Sequence, residues 1–196
     1  MRFFLASHNK GKRDEVARIL APLGVELVIP EDIDKPYIPP EETGTTFAEN
    51  AMIKARHGCE WSGLPAIADD SGLCVDALGG APGVHTARYG GEDLPYHEKM
   101  SLLVSELRDV PTEKRGAAYV CSIACVFPDG RTVTAEGTCR GVIGYGESGD
   151  GGFGFDPIFY IGGVSMASLT DAQKDAISHR GAALAKFAEK LSEASQ

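Results

Sequence analysis

Residues 117–139 read AAYVCSIACVFPDGRTVTAEGTC, two strand-like runs closed by Pro-Asp-Gly. Two runs joined by so short a turn lie antiparallel as a hairpin. Elsewhere strand-like and helix-like segments alternate along the chain, a pattern that by itself favours parallel crossovers. A hairpin embedded in that alternation requires both kinds of pairing in one sheet. The expected class is therefore α/β, with a mixed central sheet flanked by helices.

The other elements follow from periodicity and caps. Residues 2–7 (RFFLAS) read as a first strand and 7–12 as a polar turn; in 12–23 Val16, Ile19, Leu20 and Leu23 form a helical face. Residues 25–30 read as a strand, and 31–46, with three prolines and a glycine among acids, as a loop. Thr46 with Glu49 is a capping box that opens a helix running to about Cys59. In PAIADDSGLCV (65–75) a strand is expected over 66–68, ending at Asp69 and Asp70, with 73–78 continuing or returning it. A glycine-rich loop (79–91), a helix (94–110), a second glycine-rich loop (146–157), IFYI and two helices (171–176 and 179–191, the latter capped by Ser178) complete the chain.

Composition excludes several function classes. The 196 residues carry a net charge of −9 with no basic block, which disfavours a nucleic-acid partner. No apolar run has the length of a membrane span, and the N-terminal apolar stretch is too short for a signal peptide. The five cysteines form no CxxC pair, and Cys121 and Cys125 are expected on one face of the sheet as buried thiols rather than a zinc site. A reducing cytoplasm fits these features.

Three constellations carry candidate chemistry. The SHNKGK turn between a strand and a helix offers backbone amides and Lys12 to a phosphate, or is an ordinary polar turn; its spacing is not that of a Walker loop. Asp69 and Asp70, adjacent like charges, call for a positive partner. They either cap a local turn or join Glu41 and Glu42 around a hard cation such as Mg²⁺. Lys54, Lys174, His179 and Arg180 read singly as surface charges. In GGFGFDP either Phe153 or Phe155 stacks on a base, or both pack inward.

Five segments in order, SHNKGKRDE, EETGTTFAENAMIKA, ADDSGLCVDALGGAPGVHTARYGG, GGFGFDPIF and LTDAQKDAISHRGAAL, resemble the inosine triphosphate pyrophosphatase family over almost the whole chain. The resemblance implies an elongated mixed sheet, a single domain over residues 1–196 with two lobes and a substrate cleft, and a homodimer. It implies triphosphate binding by Ser7, His8, Asn9, Lys10, Gly11 and Lys12, with Lys54 also on the anionic chain. Asp70 is the implied catalytic acceptor and a Mg²⁺ ligand with Glu41 or Glu42, and Ser71 lies beside it on substrate. Phe153, Gly154, Phe155 and Asp156 are implied to bind the nucleotide, together with Lys174, His179 and Arg180. Phe155 stands where relatives often have tyrosine or tryptophan.

The implied reaction is attack of water on the α-phosphorus of ITP, dITP or XTP, releasing monophosphate and pyrophosphate and clearing deaminated purines from the nucleotide pool. Arg180, His179 or backbone N–H groups would donate to the 6-oxo group, which adenine lacks. The rivals are a Maf-like pyrophosphatase for modified pyrimidines and a non-catalytic nucleotide-binding module. The cluster of acids at 41, 42, 69 and 70 argues against the latter.

Overall fold

The computed structural model describes residues 2–193. Seven strands lie in the order β2-β1-β3-β4-β5-β6-β7, with ranges β1 Arg2–Leu5, β2 Glu26–Val28, β3 Ala66–Val75, β4 Gly116–Val126, β5 Thr132–Ile143, β6 Phe159–Ile161 and β7 Val164–Ser165. Five helices accompany them: α1 Lys10–Leu20, α2 Phe47–Ser62, α3 Tyr96–Glu106, α4 Asp171–Ile177 and α5 His179–Glu193. β1 runs parallel to β2 and β3, whereas β6 is antiparallel to β5 and β7, so the sheet is mixed. Between β4 and β5 the turn closes through Phe127 N to Arg131 O at 2.9 Å. By chain contacts there are two compact units. One holds the described residues up to Asp70, 121–137 and from His179 onward; the other holds 71–120 and 138–178.

In the first unit the strand pleat sorts the core onto two faces. Phe3, Leu5, Ile67, Cys121, Ile123 and Cys125 point to one side, where Val16 and Leu20 of α1 and Leu184 and Phe187 of α5 cover them. Phe4, Ala66, Ala68, Ala124 and Val126 point to the other, beneath Ala51, Ala55 and Cys59 of α2. Each fully buried Phe or Leu here is worth roughly 1.5–3 kcal/mol of transfer free energy. Cys121 and Cys125 thus share a face as expected, and burial pushes both thiols up to about 12. The start of α5 lies directly on β5: a Cβ on Gly137 would collide with the backbone of His179 and Ala183. That contact fixes where Arg180 begins.

The second unit packs Leu73, Val75, Met100, Leu103, Tyr119, Phe155 and Phe159 into its own core. Buried Arg115 donates to the carbonyls of Leu107, Ile143 and Gly144 at 2.7–2.9 Å. By taking the Leu107 carbonyl at the end of α3, it helps to stop that helix short of the expected 110. Among the described residues no helix is long and apolar enough to cross a membrane.

Two further expectations change. The strand does not end at the aspartates: β3 runs unbroken from Ala66 to Val75, with Asp69 and Asp70 in its middle. The polar turn after β1 is shorter than expected, because Asn9 caps α1 and its side chain accepts from Lys12 N, placing Lys10, Gly11 and Lys12 in the first helical turn.

Candidate active site

Because successive strand side chains alternate, Asp69 and Asp70 face opposite sides of the sheet. Asp69 follows Ile67 onto the α1/α5 side, where Lys12 Nζ lies 3.0 Å and Arg180 Nη2 3.1 Å from its Oδ2. Arg180 also pairs with buried Glu15 through Nη1. Burial raises the Asp69 pKa, but Lys12, then Arg180 and Lys54, pull harder and hold it well below the usual carboxylate range. Arg180 is 1% exposed and Asp69 4%, so this network is screened little by solvent.

Asp70 follows Ala66 and Ala68 onto the α2 side. Lys54 Nζ lies 2.9 Å from Asp70 Oδ1 and 2.9 Å from Glu42 Oε1, bridging the two acids. Asn50, one turn before Lys54 on α2, donates from Nδ2 to Asp70 Oδ2 at 3.3 Å and accepts from Gly44 N at 2.8 Å. One buried carboxamide therefore ties the acidic loop to the strand. Glycine is required at position 44, since a Cβ would press on Asn50 Oδ1. Here burial outweighs Lys54 and Lys12, and the Asp70 carboxyl is pushed above its ordinary value. Lys54 stays charged: burial lowers its pKa, but Asp70, Asp69 and Glu42 raise it by more.

Around the two aspartates four carboxylates, Glu15, Glu42, Asp69 and Asp70, meet three cations, Lys12, Lys54 and Arg180. Asp69 meets two of these cations, whereas Asp70 shares Lys54 with Glu42. Between the two glutamates of the loop, Glu42 joins the cluster while Glu41 is exposed. Among the described residues no three acids, histidines or cysteines gather as a complete metal cage. The donor set nevertheless fits a hard cation. Oxygens of Glu42 and Asp70 share one ammonium, Asp70 is under-compensated, and Mg²⁺ characteristically takes one or two carboxylates plus phosphate and water.

Ser7 accepts from Asn9 N at 3.2 Å, and the half-exposed Ser7, Gly11 and Lys12 with the exposed His8, Asn9 and Lys10 form the turn into α1. The helix start leaves amides without intrahelical acceptors and a partial positive charge, which suits phosphate. Lys12 is not a free cation, its ammonium being on Asp69.

In the second unit Asp156 Oδ2 accepts from Lys174 Nζ at 2.7 Å and from Phe153 N at 2.8 Å, and the ammonium stands 4.4 Å over the Phe153 ring. Of the two phenylalanines, Phe155 is the one that packs inward, 1% exposed and edge-on to Tyr89 and Tyr96. Phe153 is half-exposed. At Gly152 (φ 68°) the space a side chain would fill is taken by the Asp156 carboxylate. The surface readings of Lys174, His179 and Arg180 are corrected too: they are 4%, 5% and 1% exposed. Asn50 and Glu15 are functional-site neighbours with only a weak sequence signal, a polar residue on the buried face of a helix.

The chain matches the sequence model of the Ham1 family over residues 3–190. It is 49% identical over 202 residues to the dITP/XTP pyrophosphatase of Frankia alni, covering 98% of both chains. To the dITP/XTP pyrophosphatase of Yersinia pseudotuberculosis it is 45% identical over 197 residues, covering 98% of this chain and 99% of the relative. The fold is similar to that of a HAM1 protein from Coxiella burnetii (TM-score 0.88, 38% identity, 98% and 99% of the two chains).

Proposed function

The chain belongs to the Ham1 family, and from that premise we propose that it is a nucleoside-triphosphate pyrophosphatase acting on ITP, dITP and XTP. The products are the nucleoside monophosphate and pyrophosphate, and the role is removal of deaminated purines from the nucleotide pool. The observation that carries the reading is the Glu42–Lys54–Asp70 bridge, in which buried Asp70 is the under-compensated acid. The cations of the first unit's cluster already serve its own carboxylates, so a polyanionic substrate is accommodated only with added positive charge.

Asp70 and Glu42 would hold Mg²⁺, which when bound neutralises charge on the phosphate oxygens. The protein's own groups then have separate tasks. The amides at the start of α1, with Ser7 to Lys12, receive the triphosphate. Asn50 and Lys54 fix the two oxygens of Asp70 in place. Asp70, with its raised pKa, takes the proton of the water that attacks the α-phosphorus while the bond to the bridging oxygen breaks and pyrophosphate departs. A loose phosphoryl transition state asks mainly for this positioning and charge neutralisation.

In the second unit Phe153 offers a ring face beside Lys174 and Asp156, a setting for a purine. Gly154 and Ser71 complete the substrate contacts that the family resemblance implies. Because Arg180 is turned to Asp69 and Glu15, donation to the 6-oxo group falls to His179 and backbone N–H groups. We place the reaction in the cytoplasm, in keeping with five free thiols, and carry the homodimer as part of the same proposal. The test is a panel of nucleoside triphosphates assayed for pyrophosphate with and without Mg²⁺. ITP, dITP and XTP should react far faster than ATP or GTP, and chelation should stop turnover. Release of orthophosphate with a nucleoside diphosphate would defeat the proposal.

A further inference from the structure

Residues 35–38 are fastened to α2 on both sides of Tyr37. Trp61 Nε1 donates to the Pro36 carbonyl at 3.0 Å, Lys35 Nζ donates to the Trp61 carbonyl at 3.2 Å, and His57 Nε2 lies 2.9 Å from the Ile38 carbonyl. Held this way, the Tyr37 ring sits among four others, with centroids 5.0 Å from Trp61, 5.2 Å from Phe4 and 5.5 Å from both His8 and His57. Its direction is therefore set. Yet its hydroxyl oxygen is buried and meets no hydrogen-bond partner among the described residues.

That is an anomaly of the kind that points to a ligand. Buried tyrosine hydroxyls ordinarily find a partner, and one left unmade carries its full desolvation cost. Phenylalanine would pack these rings equally well without that cost. Two neighbours indicate what would complete the bond. His8 belongs to the turn into α1, and Lys54 bridges Asp70 and Glu42. Lys54 is also near enough for its charge to act on the phenol, while burial raises the phenol's pKa and keeps it an O–H donor. Both neighbours belong to the end of the site assigned to the phosphates.

We infer that Tyr37 is a substrate contact, its hydroxyl donating to a non-bridging oxygen of the polyphosphate tail. This rests on the pyrophosphatase reading and adds to it a residue from the loop ahead of the acids. A hydrogen bond to a charged oxygen is worth about tenfold or more in affinity. Tyr37→Phe in the full chain keeps the ring and removes only the hydroxyl. KM for ITP should rise about tenfold, with the effect on KM rather than kcat. Calorimetric affinity for inorganic triphosphate should fall by a similar factor, affinity for inosine monophosphate should not, and the urea midpoint should hold or rise.

Unchanged KM and triphosphate affinity would overturn the inference, as would a loss confined to the monophosphate. So would a lowered midpoint with native KM, the signature of a structural water on the hydroxyl. Because the triphosphate titration needs no turnover, it reads Tyr37 even if the native protein releases no pyrophosphate, the result that would defeat the underlying reading instead.

Discussion

Asp69 and Asp70 are chain neighbours, but the two faces of the sheet on which they lie treat them differently. On the α1/α5 side Asp69 meets Lys12 and Arg180 at 3.0–3.1 Å, Arg180 being shared with Glu15, and is held far below the usual carboxylate range. On the α2 side Asp70 shares a single ammonium with Glu42 and is under-compensated, its proton held more tightly than usual. One strand thereby presents two acids, a residue apart, with opposite pKa shifts. The pleat separates them, and the helices on each face decide how much positive charge arrives. A carboxylate with all its charge matched stabilises a fold. One left short of charge can accept a proton or a cation.

The contrast breaks most visibly if Asp69 is made neutral. Asp69→Asn leaves buried Arg180 and half-buried Lys12 beside a lost charge and should cost about 3–5 kcal/mol of unfolding free energy, read by urea denaturation. A loss under about 1 kcal/mol would mean the α1/α5 network is not structural. Asp70→Asn should do the reverse, lowering turnover by about 10²–10⁴-fold while the protein remains folded and binds nucleotide. Near-native pyrophosphate release would remove Asp70 from the chemistry.

Lys54→Met sharpens the comparison from the side of the cation. Lys54 lowers the Asp70 pKa, so its loss should move the acid limb of the kcat/KM profile to higher pH. A limb that stays put would show that another group sets it. The pH dependence of stability gives a smaller effect. Asp69, depressed on folding, contributes stability that is present above 3.8 and lost as pH falls through its folded value. Asp70, raised on folding, contributes stability that is present below 3.8 and lost as pH rises through its folded value. Asp70→Asn should therefore gain on the native protein as pH is raised through the window just above 3.8, by about 1.4 kcal/mol per unit of separation. Urea midpoints measured across that window check it. Last, Mg²⁺ at ten times its Kd should stabilise the native protein by about 1.4 kcal/mol, and Asp70→Asn by clearly less.

The features legible in the sequence are local. The Thr46–Glu49 capping box forms as its spacing predicts, with Thr46 Oγ1 accepting from Glu49 N at 3.2 Å, and the hairpin at Pro-Asp-Gly closes where expected. The middle of β3 is not legible in the sequence, because polar residues in a strand look like its end when only neighbours in sequence are considered. The groups that let the strand continue come from α1, α2 and α5, and Arg180 lies 111 residues from Asp69. The same distance problem hid Asn50 and Glu15, whose partners are Asp70 and Arg180. Phe155 was ambiguous beside Phe153 because alternating glycines erase periodicity; packing against Tyr89 and Tyr96 resolves it.

The two-ended grip of Asn50, one end on Gly44 and the other on Asp70, bears on how the enzyme can be rebuilt. The acid-bearing loop is not a detachable module. Lengthening it upstream would leave Glu42 anchored, whereas trimming one carboxamide to a methyl would unclamp the loop at its native length. Any chimera that borrows the EETG segment must import the first turn of α2 along with it.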